Sequence, residues 1–304
     1  MRHADEFKRP ITLRVWGACL DMHLRVWALV LLLAAGPLAA APTMAREDIT
    51  LTFGTYAADK PTETVRQYHP FLSFLADRLT ERLGKTVTIK MVIAKEYEEG
   101  IRQLTAGEVD FARFGPASYV IAKSINPLIQ IVAMESKGGQ KRFKGVIVVH
   151  RDSPIRSLED LSGQSFAFGD ELSTIGRYLA QAELLEAGIS SADLKNFDYL
   201  GRHDLVGVAV GAGKYSAGAL KESTFKTLVA NGVEIRVLAS FDNVTKPWLA
   251  SADLAPSILQ AMRVVMFATQ NEEIVRRISK NGFLVGEDAD YDLIRSAIDR
   301  SRRF

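Results

Sequence analysis

Apolar positions along this chain follow two periods in turn, first two and then 3.6, and the alternation repeats from residue 49 onward. Ile49-Thr50-Leu51-Thr52-Phe53-Gly54 alternates apolar with small or polar residues, which predicts a strand. Residues 64–83 then carry Val65, Tyr68, Phe71, Leu72, Leu75 and Leu79 at helical spacing, and Gly84 stands where a helix would end. The pattern continues with a strand over 86–94, a helix over 97–106 closed by Gly107, and a strand over 109–114. Gly115-Pro116 opens another helix, and 128–134 reads as a strand. Residues 143–150 are strongly β-prone. After them the sequence predicts a short helix at 158–161, a strand at 165–169, and a helix at 174–187 closed by Gly188. An extended piece at 196–200 precedes a helix at 204–210, a strand at 216–220, a helix at 221–230 and a strand at 234–240. The remainder reads as helices over 254–268, 272–280 and 291–301.

Strands and helices in alternation predict an α/β protein, and 304 residues suit two lobes better than one. No Pro-rich or low-complexity linker separates the halves, so strands themselves are expected to cross between lobes. Residues 143–150 and 235–240 are the natural crossovers. One lobe would then comprise 46–145 plus 241–304, and the other 146–240. Two crossing strands make a hinge over a cleft, a preferred place for a small ligand.

The N-terminal region follows other rules. Met22-His23-Leu24-Arg25 is a short basic start, residues 26–35 are an unbroken apolar run, Gly36-Pro37 breaks it, and small residues follow at 39–41. That order is expected of a cleavable secretory signal, with cleavage after Ala40, Ala41 or Ala45. The run is shorter than the roughly 20 residues a comfortable membrane span needs. Residues 1–45 are therefore read as dispensable to the fold, with translation starting at Met22 and the mature protein in the periplasm. Cys19 precedes the apolar run, so it does not sit where a lipid-modified cysteine would.

Composition narrows the function. A formal net charge of +2 is too small to suggest a nucleic-acid binder. A single cysteine rules out an internal disulfide and cysteine-based metal sites. His69, His150 and His203 lack ligand-like spacing, so no metal and no cofactor is expected. Gly213-Lys214 is followed by Tyr215 rather than Ser or Thr and preceded by Val208 where a phosphate loop needs Gly. Neither G-x-S-x-G nor H-E-x-x-H occurs. No catalytic set emerges, and an enzyme is not expected.

The most informative stretch runs from Ser165 to Arg177. A strand ends at Gly169 and a helix begins at Ser173 or Thr174. A helix start offers N–H groups without intrahelical acceptors and the positive end of a dipole, so it holds anions; two adjacent hydroxyls add donors. Ser173 could equally serve only as a helix cap.

Leu161-Ser162-Gly163-Gln164-Ser165-Phe166-Ala167-Phe168-Gly169-Asp170, followed by Ser173-Thr174, resembles the phosphate/phosphite/phosphonate-binding proteins of ABC transporters. The resemblance continues at Phe114-Gly115-Pro116-Ala117-Ser118-Tyr119, at Gly201-Arg202-His203-Asp204 and at Ser216-Ala217-Gly218-Ala219, covering about residues 49–238 in consistent order. It implies the type II periplasmic binding protein fold, two α/β lobes joined by two crossover strands. It also implies that Ser173 and Thr174 bind a phosphorus oxyanion through hydroxyls and N–H groups. Tyr119 and His203 would line the pocket, with Tyr56 on the opposing wall; core packing for Tyr119 and a plain helix start for His203 are the other readings.

Two positions depart from the family pattern. Arg113 stands where many relatives have an apolar or aromatic residue; it could offer a bidentate fork to an oxyanion or lie exposed at a strand edge. Ser216 replaces a common Asp, which leaves Glu222 as the nearest acid for an amine-bearing ligand. The expected function is the solute-binding component of an ABC importer, docking on an inner-membrane permease driven by a separate ATPase. The alternatives are a ligand-presenting sensor for a membrane kinase and a binder of a non-phosphorus anion such as a sulfonate. Selectivity is expected to come from oriented neutral donors.

Overall fold

The computed structural model describes residues 48–56 and 61–304; the proposed signal segment lies outside them. The first strand, β1 (Ile49–Tyr56), leads to α1 (Pro61–Leu83), β2 (Val87–Ala94), α2 (Tyr97–Thr105), β3 (Phe111–Arg113), α3 (Pro116–Ile125) and β4 (Gln130–Glu135). β5 (Arg142–His150) opens a second series: β6 (Ser165–Phe168), a π-helical stretch (Thr174–Leu179) running into α4 (Ala180–Glu186), β7 (Asn196–Tyr199), α5 (His203–Gly211), β8 (Ala217–Lys221), α6 (Glu222–Ala230) and β9 (Ile235–Val244). The chain then forms β10 (Pro247–Ala250), α7 (Pro256–Ala268), α8 (Glu273–Ile278), β11 (Phe283–Leu284) and α9 (Asp292–Ser301).

These strands form two sheets. The first has the order β11-β4-β10-β3-β1-β2 and the second β7-β6-β8-β5-β9. β1 pairs in parallel with β2 and β3, whereas β10 lies antiparallel between β3 and β4. The fold is therefore mixed α/β with two sheets. β5 and β9 run side by side and antiparallel, from the Arg142–Val244 pair to the His150–Ile235 pair. Each continues within a few residues into the first sheet, β5 from β4 and β9 into β10, and β4 and β10 are themselves neighbours. The expected crossover strands are thus a paired ribbon, four residues longer at Val244 than the pattern from 235 to 240 suggested.

Helix ends fall where glycine permits them. Gly84 and Gly188 take φ of 63° and 76°, the left-handed region that closes a helix without a Cβ clash. Two strands were missing from the sequence reading, β10 and β11. β10 is four residues, begins with Pro247, and is buried on both faces, so no alternation marks it. It nevertheless sits at the centre of the first sheet. Its Trp248 is fully buried and stacks on Phe53 at 5.3 Å between ring centroids, with Phe71 and Phe283 edge-on.

A second apolar cluster fills the far side of the second sheet with Val146, Val148, Val206, Val210 and Leu220. A third is continuous across both sheets, running from Tyr56 and Phe114 to Ile147, Phe166, Ile175 and Ile294. The C-terminal tail closes over the second sheet. Ser301 Oγ donates to Gln181 Oε1 at 2.6 Å, and the Phe304 ring packs edge-on against Phe168 and Phe197. Ser301 and Phe304, the two non-basic members of residues 301–304, thus anchor the tail.

Candidate functional site

The strand-to-helix junction of the second sheet is built on a close backbone approach. Gly169 N–H donates to Gly176 O at 2.9 Å. A Cβ on Gly176 would lie 2.8 Å from the Gly169 Cα and 2.9 Å from Ser173 Oγ, so neither glycine leaves room for a side chain. This contact seats the helix start against the end of β6. The first turns are wider than an α-helix: Tyr178 N–H reaches back five residues to Ser173 O at 3.2 Å. Gly176→Ala is expected to cost about 1–3 kcal/mol, the usual price of overpacking, read as a lower melting temperature together with weaker ligand binding.

Ser173 is the N-cap, its Oγ accepting from Gly176 N–H at 3.0 Å. Thr174 Oγ1 accepts from Ala117 N–H at 2.8 Å, 57 residues away in the first turn of α3. That bond links the second sheet's helix to the first sheet's helix across the cleft. In both hydroxyls accepting uses a lone pair and leaves the O–H proton to donate elsewhere. Capping and anion binding are thus compatible roles for Ser173 rather than rival ones.

Tyr56 ends β1 on the opposite wall. Its hydroxyl accepts from Gly115 N–H at 2.6 Å and shares a 2.8 Å hydrogen bond with Ser118 Oγ. The ring stacks between Tyr97 and Phe114, with centroids at 3.8 and 5.1 Å. Burial, only partly opposed by the hydrogen bonds to Ser118 and Gly115, pushes its phenol up to about 12. Tyr56 therefore stays a neutral donor throughout the physiological range.

These groups line one cavity between the sheets with about 320 Å³ of empty space, part of it open to solvent. Tyr56, Gly115 and Pro116 contribute from the first sheet's side, and Ser173, Thr174 and His203 from the second's. His203 is the buried first residue of α5, so a second helix start faces the same space. Three polar residues that the sequence reading did not single out also line it: Lys221, Asn243 and Lys246. They sit at the end of β8, near the end of β9 and in the link to β10, places that carry no motif. Among the described residues no Asp or Glu lines the cavity.

Two expected site residues lie elsewhere. Tyr119 is buried in α3, but its hydroxyl donates to Asp288 Oδ1 at 2.6 Å and its ring packs against Tyr291. Burial and then the Asp288 carboxylate raise its pKa. Asp288 itself is held below the usual carboxylate range, because hydrogen bonds from Tyr119 and Arg295 outweigh the effect of burial. Arg113 neither lines the cavity nor lies exposed at an edge. Its fork is engaged by Glu135, Nε to Oε1 at 2.7 Å and Nη2 to Oε2 at 2.9 Å, and its guanidinium lies over the Tyr68 ring. Burial works against its charge, but Glu135 more than compensates, and the pKa is raised further above its ordinary value. Glu222 is likewise turned away, pairing with Lys226 at 2.7 Å.

Among the described residues no group of His, Cys, Asp and Glu is arranged to hold a metal ion, and no helix is long and apolar enough to cross a membrane. Residues 53–291 match the family described as ABC transporter, phosphonate, periplasmic substrate-binding protein. The chain belongs to this family. The phosphate-import protein PhnD of Mycolicibacterium smegmatis is 24% identical over 284 residues, covering 82% of this chain and 85% of that protein. The structure of PhnD1 from Prochlorococcus marinus in complex with methylphosphonate superimposes with a TM-score of 0.75 at 21% identity, covering 84% of this chain and 99% of that one. A binding-protein component of an ABC phosphonate transporter from Pseudomonas aeruginosa gives a TM-score of 0.72 at 17% identity, covering 84% and 87%. At these identities the structural matches establish the fold, two sheets with helices around a cleft. Membership of the phosphonate-binding family rests on the sequence match across most of the chain.

Proposed function

We propose that this member of the phosphonate-binding family captures a phosphorus oxyanion in the periplasm and delivers it to an inner-membrane ABC permease driven by a separate ATPase. The observation that carries the reading is the convergence on one small cavity of the Tyr56, Ser173 and Thr174 hydroxyls with two helix starts. Such a lining favours an anion by dipole and hydrogen bond together. The PhnD relatives named for phosphate import and crystallised with methylphosphonate point to the same chemistry. Holding an ion for transfer requires no bond to be made or broken, and the reading assigns the chain no catalysis. Residues 46–145 with 241–304 and residues 146–240 are the proposed moving lobes, closing about the β5–β9 ribbon. Residues 22–45 are the proposed export signal, removed near residues 41–46.

Calorimetry and thermal shift on the exported protein test this against phosphate, phosphite, methylphosphonate, sulfate and taurine. A ligand present at a hundred times its Kd stabilises the folded state by about 2.7 kcal/mol, an easily measured rise in Tm. The phosphorus anions are expected to give that rise. A response confined to sulfate or taurine overturns the assignment.

A further inference from the structure

The loop that carries the site, residues 169–173, joins the end of β6 at Phe168 to the helix start at Thr174. Both of its flanks are held by residues far along the chain. Phe168 is fully buried, and the Phe304 ring packs edge-on against it with 5.6 Å between centroids. On the helix side, α9 packs against the π-helical stretch and α4. There Gln181, 2% exposed, is the centre of a chain of hydrogen bonds. Its Oε1 accepts from Ser301 Oγ at 2.6 Å and from Arg177 Nε at 3.3 Å, and its Nε2 donates to Tyr199 Oη at 3.0 Å. Arg177 in turn donates through Nη1 to the Glu171 carbonyl at 2.7 Å, inside the loop itself. The same guanidinium lies over the Tyr178 and Tyr199 rings. None of these side chains lines the cavity.

We propose that Arg177, Gln181, Ser301 and Phe304 are positioning residues for the ligand: they set where the Ser173 and Thr174 donors stand without touching the ligand themselves. The inference rests on the function proposed above and adds to it. The first turns after Ser173 are π-helical, a form found mostly as single turns within α-helices, so the α form is the ready alternative once outside contacts are lost. Rewinding would turn Thr174 relative to Gly169 and carry its hydroxyl off the common point. Arg177 lies within this stretch, and its bonds forward to Gln181 and back to Glu171 span it. Ser301 and Phe304 then tie that span and the end of β6 to one segment of chain, so loop and helix cannot shift independently. Hydrogen bonds weaken steeply with misalignment, so a small displacement of the cradle costs affinity while the rest of the fold stands. A role in packing alone has the opposite signature, lower stability with affinity intact.

Protein recovered after expression of the full chain is titrated calorimetrically with methylphosphonate, well below its melting temperature. Gln181→Met keeps the length of the side chain and removes its hydrogen bonds to Ser301, Arg177 and Tyr199; Phe304→Ala removes the ring. Each is expected to raise the Kd about tenfold, the partial loss of one hydrogen bond to a charged ligand. Each is also expected to speed hydrogen exchange at the amides of residues 169–178 in the ligand-free protein. Phe304→Leu, which keeps most of the packing, is expected to stay within about threefold of the wild-type Kd. Val275→Ala, a buried truncation in α8 away from the site, is expected to lower Tm and leave the Kd unchanged. Should Gln181→Met fail to fold, Arg177→Met cuts only the link to the loop and takes its place with the same expected rise in Kd. Variants that melt earlier but bind like wild type overturn the inference, and so does a Kd raised equally by Val275→Ala. Wild type that binds no phosphorus anion overturns the reading beneath; the exchange of residues 169–178 then decides the bracing by itself, and unchanged exchange in the variants overturns it too.

Discussion

Arg113→Ala is expected to cost about 3 kcal/mol of stability while leaving the Kd for methylphosphonate within about threefold of wild type. The reason is the carboxylate left behind. The side chains of Arg113 and Glu135 are 12% and 14% exposed, and each is held by the other through two hydrogen bonds. Removing the guanidinium strands a poorly solvated carboxylate, which is worse than lacking the pair altogether. The double variant Arg113→Met with Glu135→Met is expected to recover most of the loss, because no buried charge then lacks a partner. Denaturant unfolding gives the stability and calorimetry gives the affinity. If the single variant keeps its stability and loses affinity by tenfold or more, Arg113 faces the ligand after all and the ion pair with Glu135 is incidental.

Thr174→Val is expected to raise the Kd ten- to a hundredfold, equivalent to about 1.5–3 kcal/mol for one hydrogen bond to a charged group. The substitution keeps the β-branched shape and removes the hydroxyl. In the structure that hydroxyl also accepts from Ala117 N–H across the cleft, so its loss acts on both the ligand and closure. Because the bond spans the cleft rather than holding either sheet together, the melting temperature of the ligand-free protein is expected to change little. Thr174→Ser, which restores the hydroxyl, is expected to recover most of the affinity. Wild-type binding by Thr174→Val overturns the site assignment and leaves Ser173, Tyr56 and the helix starts without their common point.

The difference between these two residues shows how far local pattern reaches. The setting of Thr174 was legible because it depends on neighbours in sequence: a strand that ends at Phe168, a glycine that lets the chain turn, a cap at Ser173 and the helix that follows. Arg113 was ambiguous because its role depends on Glu135, which sits on β4, separated from β3 in the sheet by β10. Since β10 itself carried no readable period, the contact across it had no trace in the sequence. Tyr119 is the same case at greater distance, its hydroxyl answered by Asp288, which lies beyond the stretch that carries the family resemblance.

Sequence alone determined the α/β class, nearly all the helix boundaries, the pairing candidates for the crossover ribbon, and the capped helix start at Ser173-Thr174. These follow from side-chain period, from glycine at helix ends and from capping, all interactions within a few residues of chain. Only the tertiary structure decided the central strand around Trp248, the diversion of Arg113 and Tyr119 into Glu135 and Asp288, and the lining of the cavity by Lys221, Asn243 and Lys246. Each of those depends on which distant residues are brought within hydrogen-bond or packing distance. That is set by the register and order of strands, and no local period encodes it.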